Sequence, residues 1–156
     1  MNNYALNKRS GLSLIEMVTV VLIIGILSAV AVPKIYDSID AYRLKQAAET
    51  IAGDLQYARQ QAISRSQSIT VSFDIVNESY TISDISDRNH PDQAYVVSLT
   101  DSACPADIVS VSSTPTTAIT FNQYGIPSSE ATVTLDVNGA QKTVIVHASS
   151  GRISIP

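Results

Sequence analysis

Residues 12–32, LSLIEMVTVVLIIGILSAVAV, are apolar at almost every position, and this run limits the possible folds more than any other feature of the chain. As a helix rising ~1.5 Å per residue it spans ~31 Å, close to the thickness of a bilayer's hydrocarbon core. Lys8 and Arg9 precede it. The positive-inside bias therefore keeps the short N-terminus in the cytoplasm and exports the remainder. An ordinary secretory signal is the competing reading, with "SAVAVP" supplying small residues for cleavage. Against it, the run is long for a signal core, and the helical pattern continues past Pro33. Glu16 lies inside the run at a depth of ~6 Å, where a carboxylate costs less than the ~3 kcal/mol of the bilayer centre. Intramembrane carboxylates usually have a partner. The run contains no Lys, Arg or His. An amine freed by cleavage just before Leu12 would supply a positive charge, from the same chain or from a neighbouring copy.

The segment "GLSLIE" resembles the type IV prepilin motif. In that family a membrane aspartyl peptidase cuts after the glycine and methylates the new N-terminus. The resemblance implies a leader of residues 1–11, cleavage between Gly11 and Leu12, and N-methylation of Leu12. It implies that Glu16 directs assembly by pairing with the N-terminus of an adjacent subunit, and that Pro33 bends the helix. Leu12 departs from the Phe more usual at its place. The implied partners are a prepilin peptidase, the other pilins or pseudopilins of the filament, and the inner membrane. Gly25 and Ala29 form a small-xxx-small pair that allows close helix contact. They are equally well read as the ordinary small residues of an apolar helix.

Beyond Pro33, apolar residues recur at Ile35, Ile39, Leu44, Ala48, Ile51, Leu55, Ala58 and Ala62. Those spacings place them on one helical face that should pack on a sheet. Lys34, Asp37, Asp40, Arg43, Lys45, Glu49, Asp54 and Arg59 mostly take the other face, read as solvated, with a coiled-coil or partner surface as the alternative. A continuous helix from Leu12 to near Ser64 would be ~80 Å long. Gly53 weakens it by about 1 kcal/mol relative to Ala. "DLQYARQQAISRSQSITVSF" is similar to the H-type minor pseudopilin and minor pilin family of type II secretion systems and type IV pili, in which an "L…AR..A" helix end leads directly into a strand.

From Ser68 on, the pattern changes to period two. Strands are expected in "SITVSFDI", "SYTISDI", "AYVVSLT", "DIVSVSS", "AITFNQYG", the hairpin "ATVTLDVNGAQKTVIVHA" and "GRISI", seven or so short strands, mostly antiparallel. Asn138-Gly139 is a type I′ hairpin signal. "ITFNQYG" and "HASSGRISI" resemble the family's two late patterns, a Phe followed by a turn Gly and a terminal Gly-Arg strand. The expected fold is α+β and type IV pilin-like. A long N-terminal helix, transmembrane in its first half (12–33), packs on an antiparallel β-sheet head (34–156). That head comprises an amphipathic helix (34–65) and a β-rich part (66–156).

From Ser66 onward the chain carries three basic and nine acidic residues, a net charge of −6. Such a surface repels nucleic acid, whose binding rests on neutralised phosphates. The resemblance nevertheless brings an alternative, a DNA-binding minor pilin for natural transformation. Some members bind DNA through a Gly-Arg-x-Arg segment. Here Arg152 matches the first Arg and Ser154 replaces the second, so DNA is not the expected partner. His90 and His147 are too few and too scattered for a metal site. Cys104 lacks the base and orienting group of a nucleophile. No catalytic residue, metal or cofactor is expected, and the function implied is structural.

Overall fold

The computed structural model describes residues 11, 13–86, 92–102, 105–113 and 116–156. His90 and Cys104 lie outside them, as does Leu12. The chain divides into two units, residues 1–38 and 39–156.

One helix, α1 (Leu14–Arg65), has 52 residues, in agreement with the continuous helix read from the sequence. The helix continues through Pro33 without interruption. Its C-terminus is closed by a Schellman arrangement. Ser66 turns left-handed at φ 53°. Its N–H donates to Ile63 O (3.3 Å), and the Gln67 N–H donates to Ala62 O (3.2 Å). These bonds satisfy carbonyls that a helix end leaves without partners.

The head carries eight strands: β1 (Ile69–Asp74), β2 (Ser79–Ser86), β3 (Ala94–Ser98), β4 (Asp107–Ser112), β5 (Ala118–Phe121), β6 (Ala131–Val137), β7 (Ala140–Val146) and β8 (Ile153–Ser154). They form two four-stranded sheets, ordered β3-β2-β1-β5 and β4-β6-β7-β8, with every strand pair antiparallel. Alternation selects the inward face. Ile69, Val71 and Phe73 of β1 are buried, as are Ala131, Val133, Leu135 and Val137 of β6. The β6–β7 turn has Asn138 at φ 53° and Gly139 at φ 87°, as a type I′ turn requires. Asp136 Oδ1 accepts the Gly139 N–H at 2.9 Å and steadies it.

The core joins these inner faces to Leu44, Ala47, Ala48, Ile51, Ala52, Leu55, Ala58 and Ala62 of α1. Five of these helix residues are buried alanines, which lets the helix backbone approach the sheets closely. Two expectations are corrected. Ile35 and Ile39 continue the apolar stripe in sequence but are 58% and 40% exposed, so the core begins only at Leu44. Asp54 and Arg59 are not on a solvated face. Each reaches the β-rich part.

Asp54 accepts two phenolic hydrogen bonds, from Tyr80 (2.5 Å) and Tyr95 (3.1 Å). Tyr80 is fully buried. Burial pushes its pKa well above the ordinary 10.0, and the Asp54 carboxylate pushes it the same way. A raised phenol pKa favours the folded state below the unfolded value and loses that contribution as pH rises above it. The head should therefore lose stability above pH 10, by up to about 1.4 kcal/mol per pH unit from this one group. Alkaline titration of thermal unfolding checks this. Tyr80→Phe should flatten the slope, and an identical slope in the variant would remove Tyr80 as its source.

Candidate functional site

Two regions stand out, one in each unit. The first is the apolar start of α1. It is long and apolar enough to cross a membrane, and none of its most apolar stretch is buried within the chain. Every described side chain from Ser13 to Val32 is exposed. The Thr19 hydroxyl donates to Ile15 O at 2.8 Å, so this polar group is satisfied within the helix. Gly11 is exposed and precedes the helix. Glu16 lies in the first turn of α1, where the positive end of the helix dipole favours a carboxylate. Among the described residues it has no ion-pair partner. A Cβ added at Gly25 would meet nothing within 4 Å, so none of the described residues requires a glycine there.

The second region is in the head, where Arg59 joins three distant segments. Its Nε donates to Gly125 O (3.0 Å) and its Nη2 to Ser150 O (3.1 Å). Gly125 follows β5 in one sheet, and Ser150 lies between β7 and β8 in the other. Both neighbouring glycines are left-handed, Gly125 at φ 72° and Gly151 at φ 62°. A Cβ at Gly151 would fall 2.2 Å from Gly125 O and 2.9 Å from Arg59 Nε. One at Gly125 would fall 2.7 Å from Ile63 Cδ1. The three motifs "L…AR..A", "ITFNQYG" and "HASSGRISI" thus meet at one point. Reading along the chain misses that meeting, because Arg59 bonds partners 66 and 91 residues away.

Beside this junction, α1 and the C-terminal strand form a groove of about 560 Å³. Gly53, Gln56, Gln60 and Arg59 line one side, with Arg152 and Ile153 on the other. Arg152 is exposed at the entry to β8. His147 is structural. Its Nε2 lies 3.0 Å from Ser154 Oγ, and its N–H donates to Arg152 O.

The family model for the type II transport protein GspH matches residues 47–151, and that for the prokaryotic N-terminal methylation motif matches residues 6–32. The first covers the core half of α1 and almost all of the β-rich part. The second covers the apolar run with its Gly11 and Glu16. Among solved structures, the chain is similar to the type IV minor pilin FimU of Pseudomonas aeruginosa. One crystal form is 20% identical over 74% of this chain and 90% of that one, with a TM-score of 0.57. The minor pseudopilin EpsH from the type 2 secretion system of Vibrio cholerae is 15% identical over 73% of this chain and 96% of that one, with a TM-score of 0.56. Identities this low establish a shared fold, a long helix on antiparallel sheets. No curated protein sequence matches the chain significantly. With one family model spanning more than half its length and a methylation motif at its start, the chain belongs to the type II transport protein GspH family.

Proposed function

We propose that the chain is made as a membrane-anchored precursor, cut between Gly11 and Leu12, N-methylated at Leu12 by a prepilin peptidase, and drawn into a filament. The leader is residues 1–11, the membrane and assembly helix 12–33, and the periplasmic head 34–156. The N-terminus is cytoplasmic before cleavage. The head stays outside the inner membrane throughout. The role is mechanical, in keeping with the structural pilin subunits of its family and fold. The GspH match favours a secretion pseudopilus over a pilus.

The observation that carries this reading is the apolar start of α1, exposed on every described side chain and headed by a methylation motif. Such a surface needs a solvent or a partner as apolar as itself, at ~25 cal/mol per Å² removed from water. Lipid fills that need before assembly. The same helices of neighbouring subunits fill it afterwards. The first turn is where a carboxylate meets an incoming cationic N-terminus with least depth to cross. Pro33 then lies at the boundary between the assembly helix and the head.

Orientation is the property to test first. Protease added to spheroplasts should digest the head and leave a membrane-retained fragment containing the apolar run. A head protected until the membrane is permeabilised would place it in the cytoplasm and end this reading.

A further inference from the structure

We propose that the groove between α1 and β8 receives an extended, carboxylate-bearing segment of a neighbouring subunit. The family match ends at residue 151, so Arg152 lies just outside it. The first argument is charge. The chain from Ser66 on is strongly acidic, yet none of the described residues lining the groove is acidic and two are arginines. Of the three basic residues in that part, Arg88 lies outside the described residues and Lys142 Nζ donates to Pro156 O. Arg59 is committed to Gly125 and Ser150. The Arg152 guanidinium has no side-chain or backbone partner among the described residues. It presents a planar fork that matches a carboxylate in two hydrogen bonds.

The second argument is spacing. Gln56 and Gln60 are one helical turn apart on α1, ~6 Å along its axis. Alternate residues of an extended chain repeat at ~6.6 Å. A carboxamide both donates and accepts, so two at this spacing pair with successive outward peptide groups of a strand laid along the helix. On the far side, β8 is the edge strand of its sheet. Edge strands accept an added strand through their open backbone groups.

The third argument is the floor. Gly53 weakens the helix, and a Cβ there would meet nothing within 4 Å. Packing among the described residues does not call for a glycine. A segment lying close against the helix does.

The proposal depends on the filament reading only for the occupant being another subunit. The test uses the full chain in neutral detergent. The probe is a labelled, end-blocked peptide alternating Ser and Glu, with a Ser-Lys peptide as control, read by fluorescence anisotropy at low salt. Saturable binding of the Ser-Glu peptide alone is expected. Arg152→Glu and Gly53→Leu should each weaken it by about tenfold or more, a 1.4 kcal/mol loss. Gly53→Leu is the cleaner variant, because position 53 lines the groove and a Cβ there meets nothing within 4 Å. Three results would overturn the proposal. They are no binding up to about 1 mM, binding unchanged in both variants, and displacement of the peptide by a duplex DNA oligonucleotide that binds more tightly. Processing at Gly11 is followed on the same proteins. Failed peptide binding with normal cleavage removes the groove proposal alone. Failed cleavage of the wild-type chain removes the filament reading, whatever the peptide does.

Discussion

Glu16→Leu leaves cleavage of the precursor intact and blocks its incorporation into filaments. The substitution removes an expensive group from the membrane segment, so the anchor itself sits more comfortably in lipid. A purely structural anchor would tolerate the change or gain from it. Assembly is different. Within α1, Glu16 occupies the first turn and has no ion-pair partner among the described residues. Its proposed partner, the cationic N-terminus of another subunit, would then enter an apolar bundle unpaired. Breaking a buried ion pair by removing one partner costs about 3–5 kcal/mol, a loss of more than a hundredfold in association. The helix-dipole contribution of the same carboxylate is only about 0.3–1 kcal/mol, too small to abolish assembly alone. The readout is recovery of the subunit in sheared filaments or cross-linked tip complexes, relative to its level in the inner membrane. Equal incorporation of variant and wild type would show that the carboxylate does not direct assembly.

Gly151→Ala should be among the most damaging single substitutions in the head. A left-handed φ of 62° costs an alanine about 1–2 kcal/mol. The added Cβ also lies 2.2 Å from the backbone oxygen of Gly125, which cannot move without releasing Arg59 Nε. Each hydrogen bond from the guanidinium is worth about 1.5–3 kcal/mol before discounting for its partial exposure. Together these give a loss of about 3–4 kcal/mol, or a Tm lowered by roughly 10 °C or more. Arg59→Lys keeps the charge but not the fork, and should lose part of that amount. Gly53→Ala is the control, since its Cβ meets nothing within 4 Å and should raise helix stability by about 1 kcal/mol. Far-ultraviolet circular dichroism of the detergent-solubilised chain during heating separates the three. An unchanged Tm for Gly151→Ala would mean that the Arg59 junction is not rigid.

What could be read from the sequence is what local physics determines. The helix of α1 follows from an apolar run of membrane-spanning length joined, beyond Pro33, to a one-faced apolar stripe of helical spacing. The β6–β7 hairpin follows from Asn138-Gly139, whose positive φ values few other pairs adopt. The division into two sheets was not legible. β1 pairs with both its neighbour β2 and the distant β5, while β4, between them in sequence, joins the other sheet. Strand patterns show which face is buried, but not which strand lies alongside. The same limit explains Ile35 and Ile39. Periodicity puts them on the core face of α1, yet none of the described residues covers them enough to bury them. It also explains Asp54 and Arg59. Each is polar at a helical position that looks solvated, until Tyr80, Tyr95, Gly125 and Ser150 arrive from far along the chain. Gly125 and Gly151 were visible as motif glycines, but their shared reason, a backbone approach beneath one arginine, exists only in three dimensions.

Intact-mass analysis of the chain co-expressed with a prepilin peptidase bears most directly on whether this is a processed filament subunit. The mature protein should begin at Leu12 and carry one added methyl group at its N-terminus. Replacing Gly11 with a bulky residue should leave the full-length precursor, because the peptidase must approach the backbone closely at that bond. A mature chain starting at any residue other than Leu12, or a wild-type precursor left uncut beside an active peptidase, would contradict the assignment.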